Sequence, residues 1–212
     1  MSNAEASAED AHVQVRVRAR APGSGLFLNF GAGPNQLPEP WQNLDPTHDI
    51  RKRLKFESDS ATAILAEHVI EHVPFLQGLG FFQECLRVLE PGGVLRVAFP
   101  DIGRFLVSDW PDFALNKAAL RYAEGLSKRP RMDLPETALE MTRAAMRQML
   151  TGWGHQTAWT ERSAAGALLV VGFSEVQLRD YGCGDLGAVD GHHRDVGPEL
   201  AMLESTILEA RK

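Results

Sequence analysis

Hydrophobic positions in this chain come in short continuous runs, separated by breaks rich in glycine and proline. The runs 26–30 (Leu26-Phe27-Leu28-Asn29-Phe30), 61–66 and 94–99 each fit a strand buried on both faces. A shorter run at 42–45 predicts a second strand ending in Asp45. Between 61–66 and 94–99 the period changes. Leu76, Leu79, Phe82, Leu86 and Leu89 recur at helical spacing and predict a helix over 75–90 with these residues on one face. Pro91-Gly92-Gly93 stops it, and Pro100-Asp101 closes the strand that follows. Strand, helix, strand at this spacing predicts a parallel pair joined by a right-handed crossover, hence an α/β fold.

The remainder is less regular. Residues 1–11 are mostly Ala, Glu, Ser and Asp and predict no packed structure. Val13, Val15 and Val17 alternate with polar residues, which fits a charged edge strand or an arm for a dimer or substrate. The expected organisation is a flexible arm over 1–22 and one domain over 23–212. Residues 36–40 hold two prolines and leave no room for a full helix after the first strand. Two helical patterns, 112–127 and 134–150, follow one another with no strand between them and predict a helical insert over about 111–150. Gly152-Trp153-Gly154-His155 reads as a loop, and 160–171 as a helix started by Thr160. Strands are predicted at 174–181 and 202–210.

Composition narrows the chemistry. The net charge of −6 lacks the basic surface that nonspecific nucleic-acid binding requires. Cys85 and Cys183 show no metal spacing and no CxxC pair, which predicts a reducing, cytoplasmic setting with Cys85 a small apolar residue on a helix. No apolar run approaches the roughly 18 residues needed to span a membrane.

The first strand runs into Phe30-Gly31-Ala32-Gly33-Pro34-Asn35. Glycines at a strand's carboxyl end let backbone approach a ligand closely. A carboxylate ending the next strand, Asp45, can accept two hydrogen bonds from a ribose diol. Together they suggest a cofactor containing a nucleoside.

With Leu65-Ala66-Glu67-His68-Val69-Ile70-Glu71-His72 and Leu89-Glu90-Pro91-Gly92-Gly93 in the same order, the chain resembles the class I S-adenosylmethionine (SAM) dependent methyltransferases. It is most similar to a small branch with a glycine-cysteine-glycine-proline-asparagine type first loop and a late Trp-Gly-His loop. The resemblance implies a Rossmann-like, mostly parallel sheet with helices on both faces, shortened after strands one and two. It implies that SAM is the cofactor and S-adenosylhomocysteine (SAH) the product. By position, Phe30, Gly31, Ala32 and Gly33 would pass beneath the methionine part of SAM, and Asp45 would hold its ribose. Asp49 and Ile50 would read adenine, and Glu67 and His68 would line the methionine side. The chain departs from the usual pattern at Asn29, where an acid is common, and it lacks a third glycine after Gly33.

For chemistry on an acceptor, Asp101, His155 and His72 are the candidates, each with a structural alternative: a helix cap, a loop hydrogen bond, a local pair. Trp153 is either core or an aromatic wall for the acceptor. The place where amide and N6-adenine methyltransferases carry an Asn/Asp-Pro-Pro-aromatic motif holds Glu67-His68-Val69-Ile70 instead. The expected acceptor is therefore a small molecule with an oxygen or nitrogen nucleophile, handled by a monomer or homodimer without nucleic acid or membrane. A domain that binds SAM without turnover, or acts as a scaffold, is the alternative. His68-Val69-Ile70-Glu71-His72 also fits H-x-x-E-H, a zinc-peptidase pattern with Glu71 as base. The context lacks an evident third ligand short of His192-His193, so no metal is expected. A nicotinamide enzyme would need a glycine where Gln36 stands, opening a full helix.

Overall fold

A computed structural model describes residues 25–33, 36–44, 48–107, 147, 149–191 and 204–212. Six strands form one sheet: β1 (Leu26–Phe30), β2 (Trp41–Leu44), β3 (Ala61–Glu67), β4 (Leu89–Pro100), β5 (Glu175–Arg179) and β6 (Ser205–Arg211). Their order is β2-β1-β3-β4-β6-β5. The first four run parallel, while β6 lies antiparallel to both β4 and β5. The fold is α/β, a Rossmann-like mixed sheet.

Register sets the two faces apart. Leu28, Ile64, Leu95 and Ala210 lie in one row across the sheet, and Phe30, Ala66, Val97 and Leu208 in the next row but one. Both rows belong to one apolar core. That core is completed by α1 (Phe75–Val88) and by a helix at Glu161–Val171, here α3; the short α2 (Ile102–Val107) lies between them in sequence. The row between, on the opposite face, is Asn43, Asn29, Leu65, Arg96, Glu209 and Gln177. Among the described residues the long helices share one face, and the segment 180–191 covers part of the other through contacts to Arg96 and Glu209.

Arg96 is fully buried. Its guanidinium forks onto Asp190 at 2.6 and 2.5 Å and reaches Glu209 at 2.8 Å and the Cys183 carbonyl at 2.9 Å. Glu209 also accepts from Arg179 and from the N–H groups of Asp185 and Leu186. Burial works against its charge, but these donors hold its carboxyl below the usual range. A buried charge is tolerated only when so surrounded.

The helix at 75–88 keeps part of the predicted face, with Phe82 in the core and Leu79 and Leu86 packed against it, and is rotated at its start. Gly78, Phe81, Phe82, Cys85 and Val88 are buried, while Leu76 is 78% exposed. Gly78 decides the rotation: a Cβ there would stand 2.9 Å from Trp159 Cζ2, so the indole packs directly on the helix backbone. The helix also ends at Val88, and Leu89 already belongs to β4. At α3, Thr160 caps the helix as expected, in a reciprocal box with Ser163. Cys85 is buried and Cys183 exposed, both as free thiols. The predicted arm, the helices at 112–127 and nearly all of 134–150 lie outside the described residues.

Candidate active site

β1 ends in a turn in which Gly31 and Gly33 both adopt positive φ, 69° and 49°. The two glycines are needed for different reasons. A Cβ on Gly31 would stand 2.4 Å from Val69 Cγ2, so the turn lies flat against the segment after β3. Among the described residues a Cβ on Gly33 would meet only the Gly31 carbonyl oxygen, at 3.8 Å, within 4 Å. Gly31 thus serves packing, whereas Gly33 holds a left-handed backbone that no described side chain crowds. Phe30 points its ring into the core against Phe56 and Phe81, and Ala32 is buried. For Phe30 the expected cofactor contact is therefore corrected to backbone only, because its side chain is committed to packing.

The second strand ends at Leu44, and Asp45 lies outside the described residues. Asn43 accepts from Asn29 and from the Leu37 N–H, and donates to the Leu37 carbonyl. The short connector after the first loop is fixed this way in place of a helix. Asp49 is gripped by Arg51, whose Nε and Nη2 lie 2.7 and 2.9 Å from its two oxygens. These bonds, with the Arg51 N–H, lower its pKa to about 2. Asp49 is thus an ionised acceptor already engaged by a neighbour, and adenine would have to share it. Ile50 packs on the core edge. Glu67 accepts from the Gly191 N–H at 3.0 and 3.2 Å, which ties its carboxylate to the segment covering the sheet.

Asp101 is corrected from base to cap. It is 2% exposed, and its oxygens accept from the Gly103 and Glu161 N–H groups, each at 2.7 Å, and from Thr206 at 2.6 Å. The carboxylate pins the starts of α2 and α3 to β6 and has little capacity left for a substrate proton.

The remaining candidates converge. After β3, His68 takes φ 51° and turns the chain into a 3-10 turn at Ile70–His72. The loop following Gly152 is stitched onto this turn. Gln156 and Thr157 donate backbone N–H groups to the Glu71 carbonyl, the Gln156 side chain reaches the His72 carbonyl, and Thr157 reaches the Val73 carbonyl. Trp159, fully buried, donates to the Ile70 carbonyl. The stitching brings the His155 and His72 rings edge to face, 4.9 Å between centroids. His155 Nδ1 lies 2.6 Å from the Met149 carbonyl. Trp153 is half exposed beside His155, so it is not part of the core.

Between these rings lies Glu71, which sequence reasoning noted only within the zinc pattern. It is 1% exposed, and neither carboxylate oxygen has a hydrogen-bond partner among the described residues. Oε1 stands 3.2 Å from His68 Nδ1, outside hydrogen-bonding geometry, and 4.0 Å from His72 Nε2. Burial raises its pKa to about 7, although its own N–H and the two imidazoles pull the other way. His68 Nε2 also lies 3.2 Å from Ser205 Oγ.

Residues 35–97, from just past the first loop to most of β4, match the family model described as a methyltransferase domain. The similarity to that family covers under a third of the chain. Solved structures similar to it include a SAM-dependent methyltransferase from Archaeoglobus fulgidus. That match has 11% identity, covers 90% of this chain and 87% of that one, and has a TM-score of 0.48. An S-adenosylmethionine-dependent methyltransferase from Mesorhizobium loti has 13% identity, with 91% and 94% covered and a TM-score of 0.49. Against a longer protein from Nostoc punctiforme the identity is 11% and the TM-score 0.43, with 81% of this chain but only 36% of that one covered. Identities this low transfer no substrate and no residue role. No curated protein matches the sequence. Among the described residues no helix is long and apolar enough to cross a membrane.

Proposed function

We propose that this protein is a SAM-dependent methyltransferase acting on a small molecule through an oxygen or nitrogen nucleophile. The observation that carries the reading is the methyltransferase-domain match over 35–97, whose strands end beside the Gly31–Gly33 turn. In this reading Gly33 lets backbone run beneath the cofactor. Asp45 holds the ribose, and Ile50 and Asp49 flank adenine. His68 and Glu67, at the end of β3, border the methionine side. SAM supplies a methyl group on a sulfonium, already a good leaving group, so the protein's main task is to hold the acceptor in line. With no cation bound between them, His72 and His155 stand where an acceptor proton could be taken up. The protein is read as a cytoplasmic monomer or homodimer that handles neither nucleic acid nor membrane.

Calorimetric titration of the full chain with SAH tests this. Saturable binding is expected, weakened by about 1.5–3 kcal/mol in Asp45→Ala through loss of hydrogen bonds to a charged acceptor. Unchanged affinity in that variant would refute the ribose assignment. No binding by the folded wild type would favour a non-catalytic scaffold.

A further inference from the structure

We propose that Glu71, His72 and His155 form a binding site for a divalent first-row transition-metal ion. The donor atoms already lie close together. One ligand atom from each of the three residues lies within 4.8 Å of the others. Bonds of about 2.0–2.2 Å would draw them together by roughly 1 Å, within reach of side-chain rotation in a 3-10 turn and a loop. One carboxylate oxygen and two imidazole nitrogens suit zinc and its neighbours rather than magnesium or calcium.

Two independent observations point to a missing ligand. The first is Glu71 itself, buried, with neither oxygen in a hydrogen bond among the described residues and with the His68 and His72 imidazoles 3.2 and 4.0 Å from Oε1. A carboxylate in that state costs free energy unless a cation or donor arrives. The second is the tautomer of His155. The Met149 carbonyl can only accept, so Nδ1 carries the proton and Nε2 keeps its lone pair. Metal-binding histidines are held in this way, with the far nitrogen donating to a backbone carbonyl.

The arrangement differs from the zinc-peptidase reading of H-x-x-E-H. His68 and His72 do not share an α-helical face, because the chain between them forms a left-handed residue and a three-residue 3-10 turn. Glu71 becomes a ligand instead of a base, and the third ligand comes from the Trp-Gly-His loop. With three protein ligands, the ion keeps a position open for an outside oxygen. The site does not depend on SAM binding, so its test stands apart from that of the proposed activity.

The full chain, stripped with chelator, is dialysed against Zn2+ and analysed for metal per chain, and Co2+ is titrated in parallel for visible d–d absorption. Wild type and His48→Ala, a histidine away from the cluster, are expected to retain about one ion per chain and to give the Co2+ bands. His155→Ala and Glu71→Gln, each checked for folding by circular dichroism, are expected to lose both. The proposal is overturned if wild type retains no ion, or if both variants bind as wild type does. Should Glu71→Gln fail to fold, His155→Ala, altered on a loop, decides alone.

Discussion

The Arg96 hub and the Glu71 cluster both bury carboxylates, and they treat them in opposite ways. Asp190 and Glu209 are fully served by the Arg96 guanidinium, Arg179 and backbone N–H groups, and together they clamp the 180–191 segment to the sheet. Glu71 is as deeply buried, yet among the described residues its oxygens complete no hydrogen bond and have only imidazole nitrogens beside them. A saturated buried ion network reads as architecture, because nothing further can be added to it. An unsaturated one stores the cost of desolvation at a point where a ligand could relieve it. Asp101, with three donors, belongs with the first kind despite its position at a strand's carboxyl end.

The sharpest way to break this comparison is Arg96→Met. It strands Asp190 and Glu209 without their common partner and is expected to cost about 3–5 kcal/mol in urea denaturation. A loss under about 1 kcal/mol would mean the hub is not the clamp described. Next comes Asp101→Ala, which frees two buried N–H groups at helix starts. It is expected to cost about 2–3 kcal/mol of stability while leaving SAH affinity, by calorimetry, unchanged. A stable variant that binds SAH but transfers no methyl group would return Asp101 to the catalytic list. The smallest effect is expected for Glu71→Gln in metal-free protein. Removing an unpaired buried carboxylate should leave stability unchanged or raise it by about 1 kcal/mol in thermal unfolding at alkaline pH. A loss above about 2 kcal/mol would show that the carboxylate is served after all and would put both sites in the same class.

Much of the frame was legible from pattern alone. The continuous apolar runs at 26–30, 61–66 and 94–99 are β1, most of β3 and half of β4, because strands buried on both faces need no polar alternation. Thr160 announced the start of α3 because a capping box is local chemistry. The face of α1 was legible only in part, at Leu79, Phe82 and Leu86. Its sequence is apolar nearly all round, and the deciding residue, Gly78, is significant for the side chain it lacks opposite Trp159. The glycine turn was read correctly as a turn, but that Gly31 answers to Val69 depends on a contact across 38 positions.

The sequence by itself determined where the strands lie, the glycine turn after β1 and the Thr160 cap, since each rests on neighbouring residues and on burial that composition reveals. Only the tertiary structure decided which charged residues are satisfied. Asp101 became a cap when Glu161 and Thr206 arrived from distant elements. Glu71 became the centre of a cluster when the 152–159 loop was stitched onto the 70–73 turn and brought His155 beside His72. Hydrogen bonding and desolvation depend on what stands within a few ångströms in space, and the chain's linear order does not carry that information.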